Sequence, residues 1–286
     1  MKIFKFYILF IFTALWVNYS FCQTHIQSVY TDKYKVLDTV RYEITYEVSR
    51  VSDADDTTKK DNDIHKLLIG SHISKTESYL KFQNDSLCVI AVKQGKENVP
   101  SQPKKASTYE IYKNRDTKTV NFIDINPLFV SDFYWYEESI PEINWQIHGD
   151  KKIIAGYSCQ KATTKFRGRE YEAWFTFDIP VSDGPYKFTG LPGLILEIYD
   201  SQSHYSFKCT GIKSPNSVQL ITIRDWVPSI ITRTTREKYN TIIKKGHDDP
   251  VGYAEARGIT LMGRKDGKLV PMPKDYSYPY NPIELE

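Results

Sequence analysis

Residues 159–177 read Cys-Gln-Lys-Ala-Thr-Thr-Lys-Phe-Arg-Gly-Arg-Glu-Tyr-Glu-Ala-Trp-Phe-Thr-Phe, two alternating runs on either side of Arg167-Gly168. A two-residue turn with glycine second is a hairpin signal, because the twist of paired strands favours turns with φ > 0 at both central positions. That turn sets Phe166 opposite Arg169, Lys165 opposite Glu170, Thr163 opposite Glu172 and Lys161 opposite Trp174. The other face pairs Thr164 with Tyr171, Ala162 with Ala173 and Gln160 with Phe175, and being the less charged it is the expected core side. A slip of one residue would mix the two faces, so the pattern itself specifies the register.

The same period of two recurs upstream. Val40, Tyr42, Ile44, Tyr46 and Val48 alternate with Arg41, Glu43, Thr45, Glu47 and Ser49, one face for a core and one for water. Further strands are expected at 118–125, 143–148, 194–199, 205–209 and 218–223, with polar breaks at 52–62 and 94–107. Late in the chain the period changes. Thr234 or Thr235 can cap a helix to Lys245, with Tyr239, Ile242 and Ile243 on one stripe and Gly246 as its stop. Asp249-Pro250 opens a second short helix through Arg257, and the proline-containing tail 271–286 reads as extended. The expected fold class is mostly β: an antiparallel curved sheet, half-barrel-like or a sandwich, with one or two C-terminal helices.

Residues 1–22 have the character of a secretory signal peptide. Lys2 and Lys5 precede an apolar run over 7–17, and Ser20 and Cys22 place small side chains before a cut at Gln23. The mature chain, 23–286, is then expected as one β-rich domain with net charge near +1, and no later stretch reaches the about 18 apolar residues of a membrane span. The 14 glycines and 14 prolines among 286 residues exclude collagen-like and disordered classes, and the near-neutral charge excludes a strongly basic nucleic-acid binder. Three cysteines remain, Cys88, Cys159 and Cys209. In an oxidising compartment, Cys159 with Cys209 is the expected disulfide, with three separate buried thiols as the alternative.

Residues 190–195 read Gly190-Leu191-Pro192-Gly193-Leu194-Ile195, and the surroundings are as distinctive: Trp145, Ile154-Ala155-Gly156-Tyr157, Ala173-Trp174-Phe175-Thr176, Gly184-Pro185-Tyr186-Lys187-Phe188, and the terminal Asn281-Pro282-Ile283-Glu284-Leu285. This set closely resembles the GLPGLI family of exported bacterial envelope proteins. The resemblance implies an envelope protein of a Gram-negative bacterium, in the periplasm or at the outer membrane, often beside TonB-dependent receptors. It implies no established activity, cofactor or substrate. The run from Ala173 to Asp200 also looks like the half-barrels of lipoprotein carriers, an analogy of fold alone.

Pro192-Gly193 suits the central positions of a type II turn, with Gly193 at φ > 0, and Gly184-Pro185 makes an earlier bend. The loop held between them either shapes a difficult connection and plugs the core, which turn chemistry alone explains, or displays Tyr186, Lys187 and Phe188 to a ligand or partner. Arg167 and Arg169 flank the hairpin tip, where they could clamp an anion or form a solvated tip with Arg169 pairing a neighbouring carboxylate, and Trp174 joins this group of candidates. Phe133-Tyr134-Trp135-Tyr136 could line an apolar or glycan groove, or fill a core. No metal-binding, phosphate-loop or nucleophile-elbow pattern occurs, so no catalytic residue, metal or cofactor is expected. The expected role is binding an apolar ligand, a peptide or an envelope protein. The alternative is a hydrolase or metal-dependent enzyme assembled from distant residues, with Arg167, Arg169, Asp178 and Glu197 foremost.

Overall fold

The structure, a computed structural model, describes residue 30 and residues 32–96, 98–125, 133–225 and 231–286. The signal segment 1–22 lies outside the described residues. The elements are β1 (Tyr34–Thr39), β2 (Tyr42–Arg50), β3 (Asp61–Ile69), β4 (Ile73–Ser78), α1 (Tyr79–Lys93), β5 (Glu110–Asn114), β6 (Thr119–Ile125), β7 (Phe133–Ser139), β8 (Gln146–Ile154), β9 (Tyr157–Phe166) and β10 (Arg169–Thr176). They continue with β11 (Leu194–Asp200), β12 (Tyr205–Lys213), β13 (Leu220–Arg224), β14 (Ile231–Arg233), α2 (Arg236–Asp248), α3 (Pro250–Glu255), β15 (Met262–Lys265) and β16 (Lys268–Pro271).

The hairpin is β9–β10, and its pairing runs from Phe166 with Arg169 to Gln160 with Phe175 in the register that the alternation demands. Arg167 at φ 47° and Gly168 at φ 79° form the turn, and Tyr171, Ala162, Ala173 and Phe175 face the core. Strands β2 to β7 form one antiparallel meander and β8 to β12 a second; β12 pairs antiparallel with β2 and joins them. β14 adds in parallel beside β7, giving a twelve-stranded sheet with β14 and β8 at its edges, while β1–β13 and β15–β16 are separate ribbons.

Laid flat, twelve strands would span about 50 Å. Yet Arg167, at the β9–β10 turn, lies 3.1 Å from Glu138 on β7. The sheet therefore curls strongly without closing, and one hydrophobic cluster collects residues from Ile44 and Leu67 through Tyr136 to Ala162 and Phe207. The fold is a curved, unclosed sheet rather than a sandwich.

Three elements depart from the sequence pattern for physical reasons. β4 is polar in sequence, yet Ser74, Thr76 and Ser78 are buried on one face and Lys75 and Glu77 on the other, because both faces are covered. α1 follows directly, capped by Ser78, which accepts from Lys81 N at 3.1 Å. It presents Lys81, Asn84, Asp85 and Cys88 inward and leaves Phe82, Leu87 and Ile90 about half exposed, the reverse of an amphipathic core helix. α2 starts at its Thr235 cap but runs past Gly246 to Asp248, since Gly246 does not take the positive φ of a helix stop. α3 has Asp249 as cap and Pro250 in its first turn.

The expected Cys159–Cys209 disulfide is absent: all three thiols are free and buried. Cys159 on β9 and Cys209 on β12 have β10 and β11 between them. That is about three strand spacings, or about 14 Å along the sheet, against a disulfide's Cα separation near 6 Å. Burial pushes both thiols up to about 11. A thiol reagent is accordingly expected to label none of Cys88, Cys159 and Cys209 in the native protein and all three after unfolding, with no change of melting temperature on adding reductant. A native mass two hydrogens below the fully reduced mass would contradict this.

Candidate functional site

The connection from β10 to β11, residues 177–193, turns inward and fills the concave side of the sheet. Ile179, Tyr186, Phe188 and Leu191 are all buried in the main core cluster. Lys113 of β5 reaches it, donating to Gly184 O at 2.6 Å and pairing with Asp183 at 2.5 Å, while Arg115 takes the other Asp183 oxygen at 3.1 Å. Tyr46 donates to Ile195 O at 2.6 Å. Lys187 has no exposed surface; its ammonium lies 2.6 Å from both Glu138 Oε1 and Glu284 Oε1 and donates to the Tyr136 hydroxyl at 2.9 Å.

These contacts fit the core-plugging reading of the loop and correct the displayed one. Tyr186, Lys187 and Phe188 point into the protein, because a curved sheet leaves a concavity that must be filled, and each large ring buried there contributes roughly 2–3 kcal/mol. Tyr186 holds φ at 53°, an uncommon region for a bulky residue, and its hydroxyl is fixed on Glu284 at 2.8 Å.

The GLPGLI segment is also built differently from a type II turn. Gly190 has φ 96°, whereas Gly193 is outside the left-handed region. A Cβ on Gly193 would lie 2.8 Å from the carbonyl carbon of Thr176 and nearer still to its oxygen. Glycine is required there by the approach of two backbones, not by φ.

The C-terminal segment closes the concavity. Arg169 pairs with Asp200 at 2.9 Å and donates at 2.6 Å to both Asn281 Oδ1 and Pro282 O; Asn281 donates to Val51 O at 2.7 Å. Tyr171 donates to Ile283 O at 3.2 Å, and Leu285 N to Arg167 O at 2.9 Å. Glu284 lies 2.6 Å from Lys187, 3.3 Å from Arg236 and 3.8 Å from Arg167. The two hairpin arginines thus hold the chain's own tail and carboxylates instead of presenting a free anion clamp at an exposed tip.

Between this tail, α2 and the inner face of the sheet lies a cavity of about 590 Å³ walled by Tyr109, Phe122, Tyr136, Tyr186, Tyr205 and Tyr239. Four of its tyrosine hydroxyls are engaged by protein partners: Tyr136 accepts from Lys187, Tyr186 donates to Glu284, Tyr205 to Asn281 O at 2.6 Å and Tyr239 to Asp124. Burial pushes Tyr205 up to about 12 and Tyr136, Tyr186 and Tyr239 well above the usual phenol value. Near neutral pH these walls therefore offer uncharged ring faces.

Trp174 lies apart from this cavity. Its Nε1 donates to Glu172 at 2.9 Å, and Lys152 sits 4.2 Å above its ring while pairing with Glu197. Asp178 is exposed at the start of the inward loop. The four candidates for an assembled catalytic site therefore do not meet in one cleft, although Arg169 has His204 Nδ1 at 3.4 Å. In the aromatic run of β7, Phe133, Tyr134 and Tyr136 are buried and only Tyr136 lines the cavity. The residues sequence reasoning missed are Glu138 and Arg236, which carry no local signal, while Tyr239 was legible as a helix-stripe residue and Tyr205 as the start of a strand but neither as a cavity wall. Glu284 sits in the terminal Asn281–Leu285 stretch, the one signal available. Among the described residues no group of three or more His, Cys, Asp or Glu could hold a metal ion, and no helix is long and apolar enough to cross a membrane.

The fold and site define a mostly β protein with a curved, unclosed antiparallel sheet whose concavity is filled by its own loop and closed by its own tail. Residues 166–197 match the model of a family described as "Protein of unknown function (Porph_ging)", the GLPGLI-type family that the sequence resembles. No curated protein sequence matches the chain. Solved structures of PNGF-II in C2 and P21 space groups are similar, with TM-scores of 0.48 and 0.46 at 18% and 19% identity. Each match covers 80% of this chain and 35% of the PNGF-II chain, so this protein spans about a third of that length.

Proposed function

We propose that this chain is an exported binding protein of the bacterial envelope whose tyrosine-walled cavity holds an apolar ligand. One observation carries the reading. The cavity of about 590 Å³ has the hydroxyls of Tyr136, Tyr186, Tyr205 and Tyr239 engaged by protein partners, leaving their ring faces as the recognition surface. That volume is within the range of small-molecule sites, and its aromatic walls suit an apolar occupant with a polar end, since Ser52, Lys104 and Thr108 also line it. Arg50, Asn240 and His247 at the rim would orient its polar end. Export rests on the signal-peptide features of residues 1–22, and an outer-membrane receptor as partner rests on the family resemblance.

Native mass spectrometry of the protein purified gently from its own envelope tests both parts. The expected chain begins at Gln23 and carries a mass excess that disappears on denaturation. An intact leader would overturn the export reading. A bare mass for chain 23–286 would overturn the ligand reading.

A further inference from the structure

A second concave site lies on the opposite face of the sheet. Along β2 to β5 the core-facing Ile44, Leu67, Thr76 and Ile111 alternate with Glu43, Lys66, Lys75, Glu77 and Glu110, and the latter form the floor of a groove of about 450 Å³. α1 and the β1–β13 ribbon make its walls, with Tyr34, Tyr79 and Phe82 as aromatic rim.

The floor is a chain of ion pairs. Lys66 meets Glu43 at 2.9 Å; Lys75 meets Glu77 at 2.8 Å and Glu110 at 3.5 Å. Lys81 lies 2.7 Å from Glu110 and 2.9 Å from Asp85, which Arg224 approaches at 3.4 Å. Four cations therefore face four carboxylates, most of them buried. Apolar residues of similar volume would hold a helix on a sheet at least as well as buried ion pairs do. Stability alone accordingly gives no reason for α1 to turn its charges inward and leave Phe82 half exposed.

We propose that this groove is a binding site for a neutral saccharide. A floor of fixed donors and acceptors nearly balanced in charge, with Lys66, Lys75 and Arg224 beside Glu43, Glu77, Asp85 and Glu110, matches hydroxyl groups, each of which donates and accepts. An ionic ligand would have to displace an existing pair and strand a buried charge. The stacked Tyr79 and Phe82 rings, 6.3 Å apart at 16° with Lys66 5.2 Å over Tyr79, put aromatic surface on the groove lining for the C–H side of a sugar ring.

The test is binding of the labelled whole protein to an array of neutral, acidic and amino saccharides. Phe82→Ala removes a rim ring and Ser86→Trp fills the groove; both positions are exposed on α1, and matching melting curves check that the fold is kept. Retention of neutral saccharides, lowered at least ten-fold by each variant and unchanged by Ile243→Trp in the tyrosine-walled cavity, is the expected result. No retention of neutral saccharides, retention of acidic ones alone, or retention undiminished by both groove variants would overturn the proposal. Because Ile243→Trp acts only on the cavity, the two sites succeed or fail separately.

Discussion

Gly193→Ala should lower stability by about 3 kcal/mol, the upper part of the usual range for forcing an extra carbon into a packed region. For a chain of this size that corresponds to a melting temperature roughly 6–12 °C lower. The added Cβ would lie 2.8 Å from the carbonyl carbon of Thr176, the last residue of β10, which pairs with Leu194 at the start of β11. Main-chain atoms in a sheet cannot rotate aside as a side chain can, so the strand pair itself must part. Gly190→Ala is the instructive comparison. Its φ of 96° is unfavourable to alanine, but its nearest obstacle is Trp145 Nε1 at 3.3 Å, the edge of a side chain. A loss of about 1 kcal/mol is expected there. Equal or reversed melting shifts for the two variants would reject the backbone-approach explanation.

Glu284→Gln has the next largest expected effect, about 3 kcal/mol, because it unpairs part of a buried charge cluster. Glu138 would be left as the carboxylate shared by Lys187, Arg167 and Arg236, with the exposed Glu237 as a further partner of Arg236 alone, and Lys187 has no access to water. Glutamine keeps the shape, so the loss reports on charge. Hydrogen exchange at Leu285 N, which donates to Arg167 O, should quicken as the tail loosens. Burial by itself would raise the Glu284 carboxyl, but Lys187, the Tyr186 hydroxyl and Arg167 outweigh it and hold it below the ordinary 4.5. A depressed folded-state value means that the stabilisation is complete above the unfolded value and is lost as pH falls through the folded one. Melting temperature should therefore drop below about pH 4.5 more steeply in the wild type than in Glu284→Gln, and parallel curves would remove Glu284 from the account of acid sensitivity.

The hairpin β9–β10 was legible residue by residue because its two signals are local: a period of two and a turn whose first residues must take positive φ. The caps Thr235 and Asp249 were legible for the same reason, each answering backbone donors within three positions. α1 was not legible, since a helix is recognised by an apolar face turned to the core and this one turns Lys81 and Asp85 inward. Gly193 was recognised as a glycine requirement but assigned the wrong cause, because a turn preference can be read from two letters and the approach of Thr176 cannot.

Strands β2, β6 and β8 to β13, the β9–β10 turn and the family-specific stretches could be read along the chain because each depends on near neighbours, whereas β3 to β5 and the turn at Pro192-Gly193 could not. Only the tertiary structure decided what faces inward. Tyr186 and Glu284 are 98 residues apart and meet because the sheet curls. The curl opens a concavity, apolar surface must fill it, and the loop between β10 and β11 and the C-terminal tail are the segments placed to do so. Which charges are buried in pairs, on either face of the sheet, follows from that closure and from no local pattern.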